Sequence, residues 1–174
     1  MPPFLDHALQ NTWLTLKLVF LIYAIGLLLE RIAPAERGQR WQHVGFNLIY
    51  TVLFVFLTHL LVPPLAGFTR PWIEEFGGWF VIRFPDGTGW QILQGLAYFF
   101  TFDFFYYWMH RAQHRLPWFW SQHRLHHSER SVNVTTGQRH HFLEEPIRVF
   151  ALLLPLGIVL DVPPPSIAWL WSTL

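Results

Sequence analysis

The histidines are the residues of this sequence whose spacing predicts chemistry. Seven of the ten lie between positions 110 and 141. They form three groups: His110 and His114, then His123, His126 and His127, then His140 and His141. Imidazole nitrogens bind zinc, copper, iron and nickel, so this density predicts a metal site. The residue types alone do not choose between iron and zinc.

Helical spacing would bring the histidines of the first two groups together. Side chains three or four positions apart lie on the same face of a helix. His110 and His114 can therefore address one metal ion, and His123 can pair with His126 or His127. His126 and His127 are neighbours that point about 100° apart on a helix, so they can serve two ions, or one ion and one group that supports a ligand. We expect two helices, joined by a short turn, to face each other across a metal pair.

Two carboxylates lie close to these groups in the sequence. Asp103 precedes His110 by seven residues, which places it on nearly the same helical face. It can accept the second N–H of a ligating imidazole and fix the ring, or it can pair with an arginine. Glu144 follows the third group, where it can bind a metal ion, pair with Arg139 or Arg148, or stay solvated.

Three histidines lie outside the groups. His7 and His43 fall near the ends of predicted helices and are interpreted as surface residues. His59 falls within an apolar stretch, where polar side chains often have a function, but it is far from the groups in sequence.

The composition limits the class of protein. Hydrophobic residues make up 52% of the 174 residues and charged residues 13%, whereas soluble domains carry about a quarter charged residues. This balance predicts a lipid environment. The absence of cysteine excludes disulfides, thiolate zinc sites and blue-copper sites. With a net charge of +1 and no dense basic block, we expect no nucleic-acid partner.

Four apolar stretches are expected to form the helices that position the histidines. They run from about 12 to 29, 44 to 62, 90 to 109, and 147 past three prolines to 174. The first three approach the roughly 20 residues of a bilayer span, whereas 147–160 is interpreted as half of a hairpin or as a buried segment. The sequence predicts an all-α, multi-pass membrane helical bundle that forms one domain over residues 1–174.

The segment between the second and third stretches is broken by proline and glycine. Trp72, Phe76, Trp79 and Phe80 have helical spacing there, which predicts a short helix in the membrane interface. Arginines follow the first and third stretches and are scarce elsewhere. Because basic residues accumulate on the cytoplasmic side, we expect three spans, an external N-terminus and a cytoplasmic histidine-rich region.

Several segments resemble motifs of the fatty acid hydroxylase/sterol desaturase superfamily. Residues 103–114, Asp-Phe-Phe-Tyr-Tyr-Trp-Met-His-Arg-Ala-Gln-His, are similar to its first histidine box, and residues 123–128 to its second. Residues 133–144 are similar to a segment that follows in many bacterial members, and residues 30–34 also resemble the family. The motif core covers residues 103–144.

This resemblance implies a non-haem di-iron membrane oxidoreductase. Such an enzyme uses O2 and an external electron donor to hydroxylate or desaturate a lipid, such as a sterol or a fatty acyl chain. The implied metal ligands are His110, His114, His123, His126, His127 and His141, and secondarily His140. They would hold two iron ions, for which zinc is a possible substitute. Asp103 and Glu144 would support the ligands, and no catalytic side chain is expected beyond the metal centre.

The sequence departs from the family pattern at two points. Phe142 stands where a proline is usual, and no histidine follows His141, although the family has a further H-x-x-H-H box. We therefore expect the N-terminal part of a longer hydroxylase domain, inactive by itself, unless another segment or subunit completes the site. One alternative is a non-catalytic or degenerate membrane metal-binding fragment. Another is a zinc-dependent membrane hydrolase, which the absence of an H-E-x-x-H motif disfavours.

Overall fold

Helices dominate the chain, which a computed structural model describes at residues 2–34, 40–77, 85 and 88–160. The four longer elements are α1 (Pro3–Ile32), α2 (Trp41–Phe76), α3 (Thr88–Arg115) and α4 (Pro117–His123). Short 3-10 helices follow at His126–Ser128 and Val134–Gln138. The described residues form no strand, so the predicted all-α class is confirmed.

The last described helical segment changes its pitch in the middle. It consists of α5 (Glu144–Arg148), a π-helical turn (Val149–Leu153) and α6 (Leu154–Leu160). The wide turn lies directly before Pro155, whose ring has no N–H and displaces a carbonyl of the preceding turn. The predicted continuation of this stretch beyond residue 160 lies outside the described residues.

The second helix extends beyond its predicted end. The sequence predicted that the second helix ends before Pro63–Pro64 and that a separate interfacial helix follows. Both predictions are wrong, because α2 continues to Phe76. Of the predicted aromatic positions, Trp79 and Phe80 lie outside the described residues. An interior proline costs a helix about 3 kcal/mol, which packing must offset. Val62 and Leu65, on either side of the pair, pack against a buried apolar core.

Two helices, α1 and α2, are long and apolar enough to cross a membrane. α3 covers the third predicted stretch but is not among these candidates, since polar residues interrupt it. Large apolar side chains of α1 and α2 are exposed, with Leu28 at 62% and Ile49 at 75%. Contiguous apolar surface of this kind is expected of helices in contact with lipid. The multi-pass arrangement and the cytoplasmic position of the histidines stay predictions.

The chain divides into two compact units. Unit 1 contains residues up to Leu61 together with Trp120–Glu144, and therefore the second and third histidine groups. Unit 2 contains Val62–Phe119 and the residues from Glu145 onward, and therefore the first group. Compact units also occur within single domains, so one domain over residues 1–174 stays a prediction.

Each unit fixes its own histidine-bearing element. In unit 2, Tyr98 of α3 is buried with apolar residues of the π turn and α6, so α3 is held along its length. In unit 1, α1 contacts the 3-10 helix Val134–Gln138 so closely that a Cβ at Gly26 would lie 2.6 Å from a Val134 methyl carbon. Glycine is therefore required at this crossing.

Candidate metal centre

The first histidine pair lies on the last two turns of α3. The Nε2 atoms of His110 and His114 are 3.2 Å apart, as the predicted i, i+4 spacing requires. The ring of Tyr106 stacks on His110 with centroids 5.7 Å apart, and Phe102 stacks on Tyr106 in turn. These aromatic contacts, one helical turn apart, restrict the orientation of His110.

The sequence predicted that the second group lies on one helix, but the group extends from the end of one helix into a separate turn. α4 ends at His123, and His126–Ser128 forms a tighter 3-10 turn. Both the backbone N–H and the hydroxyl of Ser128 donate to the carbonyl of Leu125, which stabilises this turn. The Nε2 atoms of His123 and His127 are nevertheless 3.1 Å apart, so the expected pair forms on a different backbone.

A buried carboxylate lies behind the second pair. Oε1 of Glu144 is 3.4 Å from Nδ1 of His123, and both side chains are almost completely buried. An ionised carboxylate can only accept, so with Glu144 ionised Nδ1 of His123 would carry the proton and Nε2 would present its lone pair toward His127. Metal-bound histidines are commonly oriented by a carboxylate in this way.

His126 lies against the third group rather than in the pair. Its ring stacks on that of His140 with centroids 4.6 Å apart. Burial lowers the pKa of His126 to about 4, with further lowering by the neighbouring His140, His127 and His123. The ring is therefore neutral at pH 7, which a metal ligand must be.

His140 and His141 have different surroundings. Nδ1 of His140 lies 3.2 Å from Oε2 of Glu144. Nδ1 of His141 accepts the backbone N–H of Leu143, and its ring stacks on Phe142. The structure thus brings His140, the secondary candidate, next to the second group, while a ligand role for either residue stays a prediction.

The geometry of both pairs fits a metal ion. Each of the four rings offers one nitrogen as a ligand atom. When two nitrogens each lie about 2.1 Å from one ion and the nitrogen–ion–nitrogen angle is roughly a right angle, the nitrogens are about 3 Å apart. The separations of 3.2 Å and 3.1 Å match this value, and nitrogens this close share either a proton or a metal ion.

Asp103 and the histidines outside the groups lie elsewhere. Asp103 is exposed, so its support of a ligand stays a prediction. His7 is exposed, as predicted. Nε2 of His59 lies 2.8 Å from the Thr15 hydroxyl, a polar contact within unit 1. The interpretation of His43 as a surface residue is incomplete, because its ring binds a buried carboxylate described below.

Comparison with known proteins finds similarity to one protein family. Residues 95–174, which include all three histidine groups, match the fatty acid hydroxylase family model. A methylsterol monooxygenase of Aspergillus fumigatus is 31% identical over 114 residues. A protein of Dictyostelium discoideum with the provisional name methylsterol monooxygenase is 30% identical over 119 residues. These matches show that the chain is similar to the fatty acid hydroxylase/sterol desaturase superfamily.

The matched segments cover 65% and 67% of this chain, but only 34% and 42% of the two relatives. The chain therefore spans less than half the length of either relative that it matches. No solved structure matches it.

Glu129 holds the loop between the second and third histidine groups. Its carboxylate contacts His43 and Arg139, each at 2.8 Å, and Asn47 at 3.2 Å. The backbone N–H groups of Arg130 and Ser131 also donate to it. Burial raises its pKa, but these hydrogen bonds prevail and lower the pKa to about 2. Sequence reasoning missed this residue, because nothing in its local pattern distinguishes it from a solvated glutamate.

Polar residues of α1 and α2 hold the same loop. The Tyr50 hydroxyl donates to the carbonyl of His140 at 2.7 Å, and Asn47 donates to the Thr135 hydroxyl at 3.2 Å. Glu30, within the family-like stretch 30–34, accepts the backbone N–H of Val134 at 2.8 Å. Asn47 could have been found from the sequence, because a polar side chain within an apolar stretch usually has a functional or structural role.

Proposed function

We propose that this chain is part of an O2-dependent lipid hydroxylase or desaturase, of the non-haem di-iron type. Similarity to the superfamily and to methylsterol monooxygenases supports lipid oxidation. A lipid substrate, sterol or fatty acyl, also fits the apolar surfaces of α1 and α2. O2 and an external electron donor complete the proposed reaction.

The observation that carries the proposal is the meeting of Nε2 atoms within each histidine pair, with Glu144 behind one of them. The proposed ligands are His110, His114, His123, His126 and His127, with His141 or His140 in addition. We propose that the two pairs belong to one centre, since only eight residues separate His114 from His123 in the sequence. Bound iron would supply the O2 activation that attack on an unactivated C–H bond requires.

The protein's own contribution is orientation and charge. Glu144 is proposed to keep the Nδ1 proton of His123 in place, so that Nε2 presents its lone pair to a metal ion. Burial keeps His126 neutral. Tyr106 restricts the rotation of His110. Asp103 is proposed to act near the same site, on the strength of its position in the first motif alone.

The test is metal content combined with O2 uptake. The full chain, purified in detergent and loaded anaerobically with ferrous iron, is expected to hold two irons if its site is complete. His123→Ala should lose most of this iron, while His7→Ala, the same substitution at an exposed site, should retain it. Equal iron in both variants would contradict the ligand assignment. Zinc is expected to compete for the site without supporting O2 uptake.

A second candidate function is non-catalytic metal binding. Metal binding alone requires only the two histidine pairs, whose Nε2 atoms are 3.2 Å and 3.1 Å apart. The two functions differ in O2 consumption by the iron-loaded chain with a chemical reductant and added sterol or fatty acid. Iron binding without O2 consumption supports the second function, and substrate-dependent consumption supports the first.

A further inference from the structure

A cavity of about 510 Å³ opens in unit 1, between the start of α2 and the loop after the second histidine group. It is lined by Arg40, His43, Phe46, Ser128, Glu129, Arg130, Ser131 and Arg139. Among the described lining residues, three arginines against one glutamate give a net charge of +2 with His43 neutral. The proposed metal chemistry makes no use of these positive charges.

The charges in the cavity are not mutually satisfied. Glu129 and Arg139 neutralise each other at 2.8 Å, and both side chains are largely buried. Arg40 and Arg130 are exposed, and neither side chain has a hydrogen bond or ion pair with another described residue. Nε of Arg139 is also buried without a hydrogen-bond partner among the described residues. Among the described residues, two guanidinium groups and one further N–H therefore lack a hydrogen-bond or anionic partner.

The local backbone adds to this preference for an anion. α2 begins at Trp41, and the N–H groups of His43 and Val44 donate to the carbonyl of Arg40, which leaves those of Trp41 and Gln42 without a partner among the described residues. The N-terminus of a long helix also carries a partial positive charge. Guanidinium groups bind phosphate through paired N–H···O bonds, which makes phosphate the anion that best suits this lining.

We propose that this cavity binds a phosphate group. Phe46 lines it, and Ile49 and Leu53 continue from Phe46 along one face of α2 at helical spacing, all of them exposed. An acyl chain could lie along that apolar face while its headgroup phosphate occupies the cavity, so a phospholipid is the favoured source. The proposal is independent of the proposed oxidation, because none of the cavity residues is a proposed metal ligand.

The test measures binding of fluorescent phosphatidic acid to the full chain in detergent micelles. Fluorescent diacylglycerol, which lacks only the phosphate, is the matched ligand. Phosphatidic acid is expected to bind more tightly, and equal binding of the two would overturn the proposal. Displacement by millimolar inorganic phosphate would identify a soluble phosphate compound as the source. Displacement by unlabelled phosphatidic acid but not by inorganic phosphate would identify the lipid headgroup as the source of the phosphate.

Single charge removals locate the site. Arg40→Gln and Arg130→Gln should each raise the Kd for phosphatidic acid about tenfold, the loss expected for one charge-assisted contact. Arg70→Gln removes the same charge from an exposed pair with Glu74 and should leave the Kd unchanged. Arg130→Lys keeps the positive charge but loses the paired N–H groups of the guanidinium, so it should raise the Kd less than Arg130→Gln. Each variant is shown to be folded if its iron content equals that of the parent. If Arg40→Gln and Arg130→Gln change the Kd no more than Arg70→Gln does, the proposal is overturned.

Discussion

The imidazole rings of His126 and His140 lie parallel, with 8° between their planes and 4.6 Å between their centroids. His140 is held from two sides, because Tyr50 binds its carbonyl and Glu144 lies beside its Nδ1. A ring fixed in this way restricts the rotation of its neighbour. The stack therefore gives His140 two possible roles, as a further metal ligand or as a support for His126.

Two substitutions of His140 separate these roles. His140→Phe keeps a flat ring against His126 but has no nitrogen, whereas His140→Ala removes both. If His140 is a support, iron content should fall in the alanine variant and be largely retained in the phenylalanine variant. An equal loss of iron in both variants would show that the nitrogen itself is required. Metal analysis of purified protein gives the answer in either case.

Glu144→Gln tests the orientation of His123. The substitution removes the negative charge that holds the Nδ1 proton, so metal affinity should fall about 10- to 100-fold, as for other partners of metal-bound histidines. The adjacent Glu145, also buried, pairs with Arg148 at 3.2 Å. Glu145→Gln is therefore the matched control, and zinc titration should show little change in its affinity. Equal losses of zinc affinity in the two variants would contradict the role of Glu144 in orienting His123.

Glu129 should make the stability of the protein depend on acid pH. Its folded-state pKa of about 2 lies below the ordinary value of 4.5, so its stabilising contribution is present above pH 4.5. That contribution is lost as the pH falls from 4.5 toward 2. At pH 7, Glu129→Gln should lower the unfolding temperature by several degrees. The difference from the parent should shrink in acid.

The control for Glu129 is Glu74→Gln. Glu74 forms an exposed pair with Arg70, which should contribute little to stability at any pH. Thermal unfolding in detergent between pH 7 and pH 3 compares the three proteins. A gap between Glu129→Gln and the parent that stays constant over this range would contradict the assigned cause.

Gly26→Ala should destabilise the crossing of α1 and the loop. The new Cβ would lie 2.6 Å from a Val134 methyl carbon, and overpacking of this kind costs about 1–3 kcal/mol. Gly45 of α2 has no heavy atom within 4 Å of an added Cβ, so Gly45→Ala should be neutral or stabilising by up to about 1 kcal/mol. Adding Val134→Ala to Gly26→Ala should recover part of the loss. Thermal unfolding that ranks the two glycine variants the other way would contradict the contact.

Local patterns determined the helical class, the two longest apolar helices and the pairing of His110 with His114. These follow from periodicity along one helix, and a helix repeats its geometry wherever the sequence allows it. The same rule failed at Pro63–Pro64, where apolar packing on both sides of the prolines carries α2 to Phe76. It also failed for the second histidine group, which the sequence placed on a single helix.

Only the tertiary structure placed Glu144 behind His123, stacked His140 on His126 and gathered three arginines around one cavity. The residues in these contacts come from separate segments, so no spacing in the sequence predicts their distances. The contacts of His123 and Arg139 are selected by the burial of Glu144 and Glu129. A buried carboxylate must find donors, and those donors came from wherever the fold brought an imidazole, an amide or a guanidinium within reach.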